Sequence, residues 1–413
     1  MGHAKLGLTD RSAAWPAFLK KTKTSTDVNA EKPVVVDMSA AGSDKKLEEL
    51  LNKAHITGIV DNYDEQFAEL LLSRNAQLYR ANIDVQRASV QTELDTHYGK
   101  TPSWQKGAWV YYPWSGRLAH VLEPGLFNDL RTIRNRDLIT SAEQKILADF
   151  PVACLGMSVG SASALALGLS GMSAQLKLAD GAVISGSNLN RILTGVQSVG
   201  QEKSLVIAQQ IYEMNPYMNI ARIGKLTDET ITELFEKPWP VKAVIDEIDD
   251  LEMKIKVRIE ARKRHIPVIM ATELADSVML DVERFDLEPN RELFHGLIPN
   301  VEKLVIEGTT NHREWMKHAV SIIGPSNMPI SMQQSLLKIG STVVTHPQLG
   351  ATVMMTGGIL SFAIKQIALR ADMPSQRTII DLQKTFQPSI RARKHKKAHK
   401  KHTQVIIKAV NNF

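Results

Sequence analysis

The sequence predicts an α/β fold organised around a strand–turn–helix–strand unit, and three observations predict it. A short apolar run, Val152 to Leu155, meets glycines at Gly156 and Gly160. An Ala/Leu/Ser-rich segment of helix length follows, from Ser161 to about Leu169. A second strand-like run, Gln175 to Ala179, ends in Asp180. This is the order of a mononucleotide-binding βαβ unit. Glycines let the backbone turn sharply and approach a phosphate, and the new helix offers free N–H groups and partial positive charge. Asp180, 24 residues after Gly156, stands where a ribose hydroxyl needs an acceptor.

Two other readings fit the turn alone. Gly156, Ser158 and Gly160 spell G-x-S-x-G, which before a helix is also the nucleophile elbow of serine hydrolases, with Ser158 as nucleophile. Alternatively, the small residues only let a helix pack closely on a strand. The run Ser187-Asn188-Leu189-Asn190-Arg191 distinguishes them. A hydrolase has no need of it, whereas in a nucleotide site Asn188 can hydrogen-bond and Arg191 can fork onto phosphate oxygens.

Taken in order, these motifs resemble the ThiF/MoeB/HesA group, the adenylating domain shared with ubiquitin-activating enzymes. D-x(6)-S-N-L-N-R follows the glycine turn, and Val199-Gly200-Gln201-Glu202-Lys203 is similar to the family's G-x-x-K segment. Tyr212 to Pro216 resembles its helix end, Val244 to Asp250 its metal-binding strand, and His265 to Ile269 its next core strand. Arg134-Asn135-Arg136 sits where the family has R-x-N-R. The series covers roughly residues 131 to 272. A bacterial subgroup of the superfamily shares G-x-S-V-G and the run Asp281 to Pro289, and the chain also resembles it at His346-Pro347-Gln348-Leu349 and Gly357-Gly358.

The resemblance implies a Rossmann-like domain, ATP and Mg2+, and activation of a carboxylate as an acyl-adenylate. Gly156, Ser158 and Gly160 would shape the cradle, Asp180 would hold the ribose and Asn188 would bind nearby. Arg191 and Lys203 would contact phosphates, and Asp249 would hold the magnesium. Arg136 would reach the phosphates from the partner of a homodimer. The expected substrate is a peptide or a ubiquitin-like protein C-terminus. Ala182 stands where the family has the second aspartate of D-x-D, so a catalytically degenerate nucleotide- or partner-binding protein is the alternative, with a serine hydrolase behind it.

Hydrophobic content of 43% and charged content of 23% over 413 residues fit a globular chain of several domains. The lone cysteine, Cys154, excludes a disulfide framework or a cysteine zinc site within one chain, and a thioester-forming enzyme would need another. No leader-like or membrane-spanning apolar run is evident, so cytoplasmic residence is expected. The net charge of +6 comes from one place. Arg391, Arg393, Lys394, Lys396, Lys397, Lys400 and Lys401 are seven of the 50 basic residues, and without them 43 would face 44 acids.

In chain order, residues 1–30 are polar and weakly patterned, and are expected to be flexible. A small N-terminal α/β domain follows at 31–128. It has strands at Val34–Asp37 and Ile56–Val60 and helices at Lys45–Ala54 and Asp64–Asn82. Trp104, Trp109, Tyr111, Tyr112 and Trp114 are expected to line a seam between domains. The nucleotide-binding domain takes 129–300, entered through a helix pair at Asp129–Phe150. Its acidic block, with Asp281, Glu283 and Asp286, is expected to be a solvated loop, with cation binding as the sharper alternative. Residues 301–388 read as a helical region broken at Gly324-Pro325, Gly340 and Met373-Pro374. The tail, 389–413, reads as a disordered basic segment able to attract nucleic acid or an acidic partner.

Overall fold

Two sheets form from separate stretches of chain. The computed structural model describes residues 26–306 and 312–411. Most of the polar N-terminus, residues 307–311 of the helical region and Phe413 lie outside the described residues. The chain divides into two compact units, Met1–Thr140 with Tyr212–Tyr217, and Ser141–Ile211 with Met218–Phe413.

The first unit carries β1 (Val34–Asp37), α1 (Ser43–Lys53), β2 (Gly58–Asp61), α2 (Tyr63–Arg74), α3 (Ala76–Arg80) and α4 (Ile83–Tyr98). β3 (Ala108–Tyr112), β4 (Arg117–Val121) and α5 (Pro124–Thr132) complete it. Its sheet runs β1-β3-β4-β2, antiparallel except for the β2–β4 pair. The helix expected over 64–82 breaks at Asn75, whose side chain accepts the Leu78 N–H and caps α3 instead. Of the aromatic cluster, Trp109, Tyr111 and Tyr112 belong to this unit's core, whereas Trp104 is exposed. Every side chain of β3 is buried, and alternation sends Trp109 and Tyr111 to one face, with Val36, Leu47 and Leu118. Val110 and Tyr112 go to the other, with Val121.

The second unit opens with α6 (Ser141–Ala148), then β5 (Val152–Leu155), α7 (Gly160–Leu169), β6 (Gln175–Ala179), α8 (Lys203–Met214) and β7 (Asn219–Ile223). α9 (Ile231–Glu236), β8 (Ala243–Asp246), α10 (Leu251–Lys263), β9 (Val268–Leu274) and β10 (Ser277–Glu283) follow. Next come α11 (Val301–Ile306), α12 (His312–Ile323), α13 (Ile330–Leu336), α14 (Gly350–Ala368) and β11 (Gln376–Asp381). The chain continues through α15 (Leu382–Phe386), α16 (Pro388–Arg391) and α17 (Arg393–Asn411).

Its seven strands run β11-β10-β9-β8-β5-β6-β7. From β7 to β9 they are parallel, and β10 and β11 add antiparallel strands at one edge. The central strands β5 and β8 are buried along their whole length, which is why they read as unbroken apolar runs. Helices α7 and α14 pack almost backbone to backbone: a Cβ on Gly357 would lie 2.6 Å from the Ala162 carbonyl oxygen. By length and composition α14 could cross a membrane, but Val353, Leu360 and Ala363 are fully buried within this unit.

Three expectations are corrected here. The acidic block is only in part the expected solvated loop with internal ion pairs: Asp286 lies in exposed chain, but Asp281 and Glu283 end a buried strand at 2% and 1% exposure. Asp281 pairs with Arg377 and His295, Glu283 with Arg258, and Asp286 with Arg284, so these acids have cationic partners of their own. The helical region contains a strand, β11, paired along β10 from Ser277–Asp381 to Val282–Gln376. The tail is helical, held where His399, Thr403 and the buried Ile406 face α13 and the turn before it.

Beneath the end of β8 lies a buried ion group. Arg258 pairs through Nη1 with Asp246 and through Nε with Glu283 at 2.6 Å, and its guanidinium stacks 4.1 Å from the Phe294 ring centre. All three charged side chains are at most 1% exposed. Lys254 adds a contact of 3.3 Å to Asp246.

Candidate functional site

In a parallel sheet, ligands bind where successive crossovers diverge, beyond the carboxyl ends of the strands. Here that point lies between β5 and β8. Gly156 leaves β5 with φ of 80°, and its N–H bonds the Ala179 carbonyl of β6 at 2.8 Å. A Cβ on Gly156 would sit 2.2 Å from the carbonyl oxygen of Glu247, just past β8. Both the conformation and the close approach require glycine. Gly160 then opens α7, its N–H bonded to the Gly156 carbonyl.

Asp180 braces this turn. Its Oδ2 accepts the Met157 N–H at 2.8 Å, and its Oδ1 accepts the Ala182 N–H at 2.7 Å. Lys203, at the start of α8, brings Nζ to 3.8 Å from Asp180 Oδ2. The two groups expected on ribose and phosphate therefore face each other. Asn188 is 7% exposed, and its Oδ1 accepts the Ser185 N–H to cap its own short turn.

Arg191 links the rest. Its Nε donates to Ser158 Oγ at 3.1 Å, and its Nη1 to the Ser187 carbonyl and to Asn190 Oδ1 at 3.0 and 2.9 Å. Burial lowers its pKa, opposed by the nearby carboxylates of Asp249 and Glu273. Ser158 is thus a partner of a guanidinium. Asp249 is exposed in the loop after β8. The buried Asp246 shapes that loop by accepting the Ile248 N–H at 3.2 Å.

The eight expected residues of the second unit therefore lie on or beside the loops after β5, β6 and β8. The ninth, Arg136, belongs to the first unit, exposed after the turn Ile133–Asn135.

The sequence reading missed two acids and their partners. Glu247 Oε1 accepts the Ala271 N–H at 2.7 Å, and burial, reinforced by Glu273 and partly offset by Lys254, pushes its carboxyl well above the usual range. Glu273, near the end of β9, accepts from Gln348 Nε2 at 3.0 Å. The Gln348 carbonyl in turn accepts from Asn190 Nδ2 at 3.0 Å, and a Cβ on Gly350 would lie 2.3 Å from the Asn190 oxygen. The segment His346–Leu349 thus lies against the candidate site. A lone acid ending an apolar strand was the available signal.

Burial raises Glu273 to about 7 despite Gln348 and Arg191. A raised carboxyl gives its full stability below the unfolded value of 4.5 and loses it as pH climbs through 7. Glu273→Gln removes that loss. Its melting temperature, relative to the wild type in ligand-free protein, is expected to rise between pH 5 and 8. A difference flat with pH would mean that the acid titrates normally.

These residues fit a nucleotide with a magnesium ion. The glycine turn leaves no side chain at its tightest point, and Arg191 and Lys203 supply positive charge. No cluster of three or more His, Cys, Asp or Glu side chains suited to a metal occurs among the described residues.

A family model described as the ThiF family matches residues 131–404. The Mycobacterium tuberculosis (strain CDC 1551 / Oshkosh) protein MT1398, itself uncharacterized, is 32% identical over 275 residues, which are 66% of this chain and 38% of that protein. The chain thus corresponds to under two fifths of that relative's length. Similar solved structures include selenomethionine PaaA, 18% identical over 62% of this chain and 68% of that one, with a TM-score of 0.42. The E. coli tRNA N6-threonylcarbamoyladenosine dehydratase TcdA is 16% identical over 59% and 95%, with a TM-score of 0.41. E. coli MccB, solved with MccA-N7isoAsn, is 15% identical over 58% and 66%, also at 0.41.

Proposed function

The chain belongs to the ThiF family, and from that premise we propose that it is an ATP-dependent adenylyltransferase that activates a carboxylate. The observation that carries this reading is the cradle at the β5/β8 divergence. There Gly156 comes against the Glu247 carbonyl, and Arg191 donates to Ser158 within the field of the Asp249 and Glu273 carboxylates.

Adenylation joins two anions, so charge must be neutralised before the carboxylate oxygen attacks the α-phosphorus and pyrophosphate leaves. Arg191 and Lys203 supply fixed positive charge, Lys203 by exchanging Asp180 for phosphate oxygens. Asp249 would hold a magnesium ion, which contributes Lewis-acid neutralisation when bound. Asp180 would receive the ribose while keeping the turn closed. Glu273, raised to about 7, would carry only part of a negative charge near neutral pH and so oppose an incoming carboxylate less than an ordinary acid.

No protein nucleophile is required. Cys154 is fully buried, and burial pushes its thiol up to about 12, so the acyl group would pass from the adenylate directly to an external acceptor. The family resemblance favours a peptide or ubiquitin-like C-terminus as the acyl donor.

The test is ATP–pyrophosphate exchange by the full chain across candidate peptides and small ubiquitin-like proteins. Exchange that survives Ser158→Ala is expected, since Ser158 shapes the turn. One observation favours a second reading, a nucleotide-binding protein without catalysis: Asp180 and Lys203 already pair with each other, and Ala182 lacks a carboxylate. ATP-Mg would then raise the melting temperature while no substrate supported exchange. Failure of both assays would sink the nucleotide site itself.

A further inference from the structure

The basic segment is unused by the activity above. In the structure it is α17, and it has two unlike faces. Inward, His399 Nε2 lies 2.9 Å from the Met328 carbonyl oxygen, Thr403 Oγ1 accepts from Gln333 Nε2 at 3.0 Å, and Ile406 is 2% exposed. These positions recur at i, i+4 and i+7, one side of a helix. On the opposite side Arg393, Lys394, Lys397, Lys401 and Lys408 are exposed. With a rise of about 1.5 Å per residue they form a stripe of roughly 22 Å.

The stripe has no internal compensation. Residues 391–411 contain no Asp or Glu, and none of the five cations pairs with a carboxylate among the described residues. Arg393/Lys397 and Lys397/Lys401 are like-charge neighbours at i,i+4, which oppose helix formation. Docking on α13 keeps these mutually repelling charges on one rigid line.

We propose that α17 docks the phosphate backbone of a double-stranded nucleic acid. A polyanion with evenly spaced charges relieves the repulsion along the whole stripe and releases condensed counterions. A membrane fits less well, because the apolar side of the helix is already packed and its exposed apolar side chains are confined to Val405 and Ile407 near one end. Single strands are held by stacking on large aromatic rings, and α17 has no Phe, Tyr or Trp. The stripe is lysines with Arg393 at its start and Gln404 alone among them, a set suited to phosphates more than to base edges, so binding is independent of sequence.

The experiment measures anisotropy of a labelled duplex of about 20 base pairs with the full chain, from about 50 to 300 mM salt. Three to five phosphate contacts give an expected slope of log K against log salt of about −3 to −4. Lys397→Glu/Lys401→Glu/Lys408→Glu should lower affinity at least tenfold at the lowest salt and flatten the slope. It should melt no lower than the wild type, because it removes repulsion. If it does melt lower, the Lys→Gln triple variant replaces it, with the slope expected to shrink by about 2.7. The proposal is overturned by a wild type that binds no duplex at about 50 mM salt, or by a folded variant that binds like the wild type. Tighter binding of a same-length single strand, a polyglutamate peptide or phosphatidylserine vesicles overturns it equally.

Discussion

Arg258→Ala is expected to destabilise the second unit by about 3–5 kcal/mol, because it leaves the buried Glu283 without its guanidinium and the buried Asp246 with Lys254 alone. Asp246 and Glu283 are both essentially unexposed, and Arg258 is the guanidinium that touches each. The melting transition should fall by roughly 10 °C, and a fall below about 2 °C would refute the assignment. The pH dependence is diagnostic. In the wild type, burial pushes Asp246 up, but Lys254 and Arg258 outweigh it and hold the carboxyl below its usual 3.8. A lowered carboxyl contributes stability above the unfolded value and loses it as pH falls through the folded one. Without Arg258 the burial of Asp246 is opposed by Lys254 alone, so its carboxyl rises and the penalty is greatest at neutral pH. The gap between variant and wild type should therefore narrow on acidification from pH 7 toward 4. Because Asp246 holds the Ile248 N–H, the variant also loosens the loop that carries Asp249.

Arg191→Ala and Asp249→Ala should each lower pyrophosphate exchange by about 10²–10³-fold, the range for removing one preorganised charge from a transition state. Melting temperature should change little for Asp249, which is exposed. Loss of exchange with ATP-induced stabilisation retained would place Asp249 in chemistry rather than in nucleotide binding. The same variant tests the expected arginine from a second subunit. Mixing Asp249→Ala with Arg136→Ala in verified heterodimers should restore exchange, since one hybrid site keeps both groups. No recovery would mean that Arg136 acts within its own chain or plays no part.

What the sequence disclosed was whatever depends on short-range spacing. Gly156, Asp180 and the Ser187–Arg191 run were legible because a turn, a strand end and a following loop are fixed by neighbours in the chain. Glu273 escaped because its meaning comes from Gln348, 75 residues away. The acids of β10 looked solvated because their partners lie far off, Arg258 at 25 residues from Glu283 and Arg377 at 96 from Asp281. In α17 the few packing positions are diluted among lysines, so composition argued for disorder while Ile406 and its neighbours decided otherwise. β11 was hidden because an edge strand buries little, and its Arg-Thr-Ile-Ile run alternates weakly.

That edge strand sets a clock on biosynthesis. β10 pairs with residues about a hundred positions later, Ser277 with Asp381 and Val282 with Gln376. At ribosomal rates of about 5–20 residues per second, the free side of β10 waits roughly 5–20 s for its partner. During that interval a strand buried along its whole length in the finished fold presents open N–H and C=O groups, the template on which nascent chains pair with one another. Asp281 also waits, since Arg377 arrives on the same late strand. A newly made chain is therefore most exposed to self-association after its nucleotide fold is complete, and a break anywhere before Gln376 would make that exposure permanent.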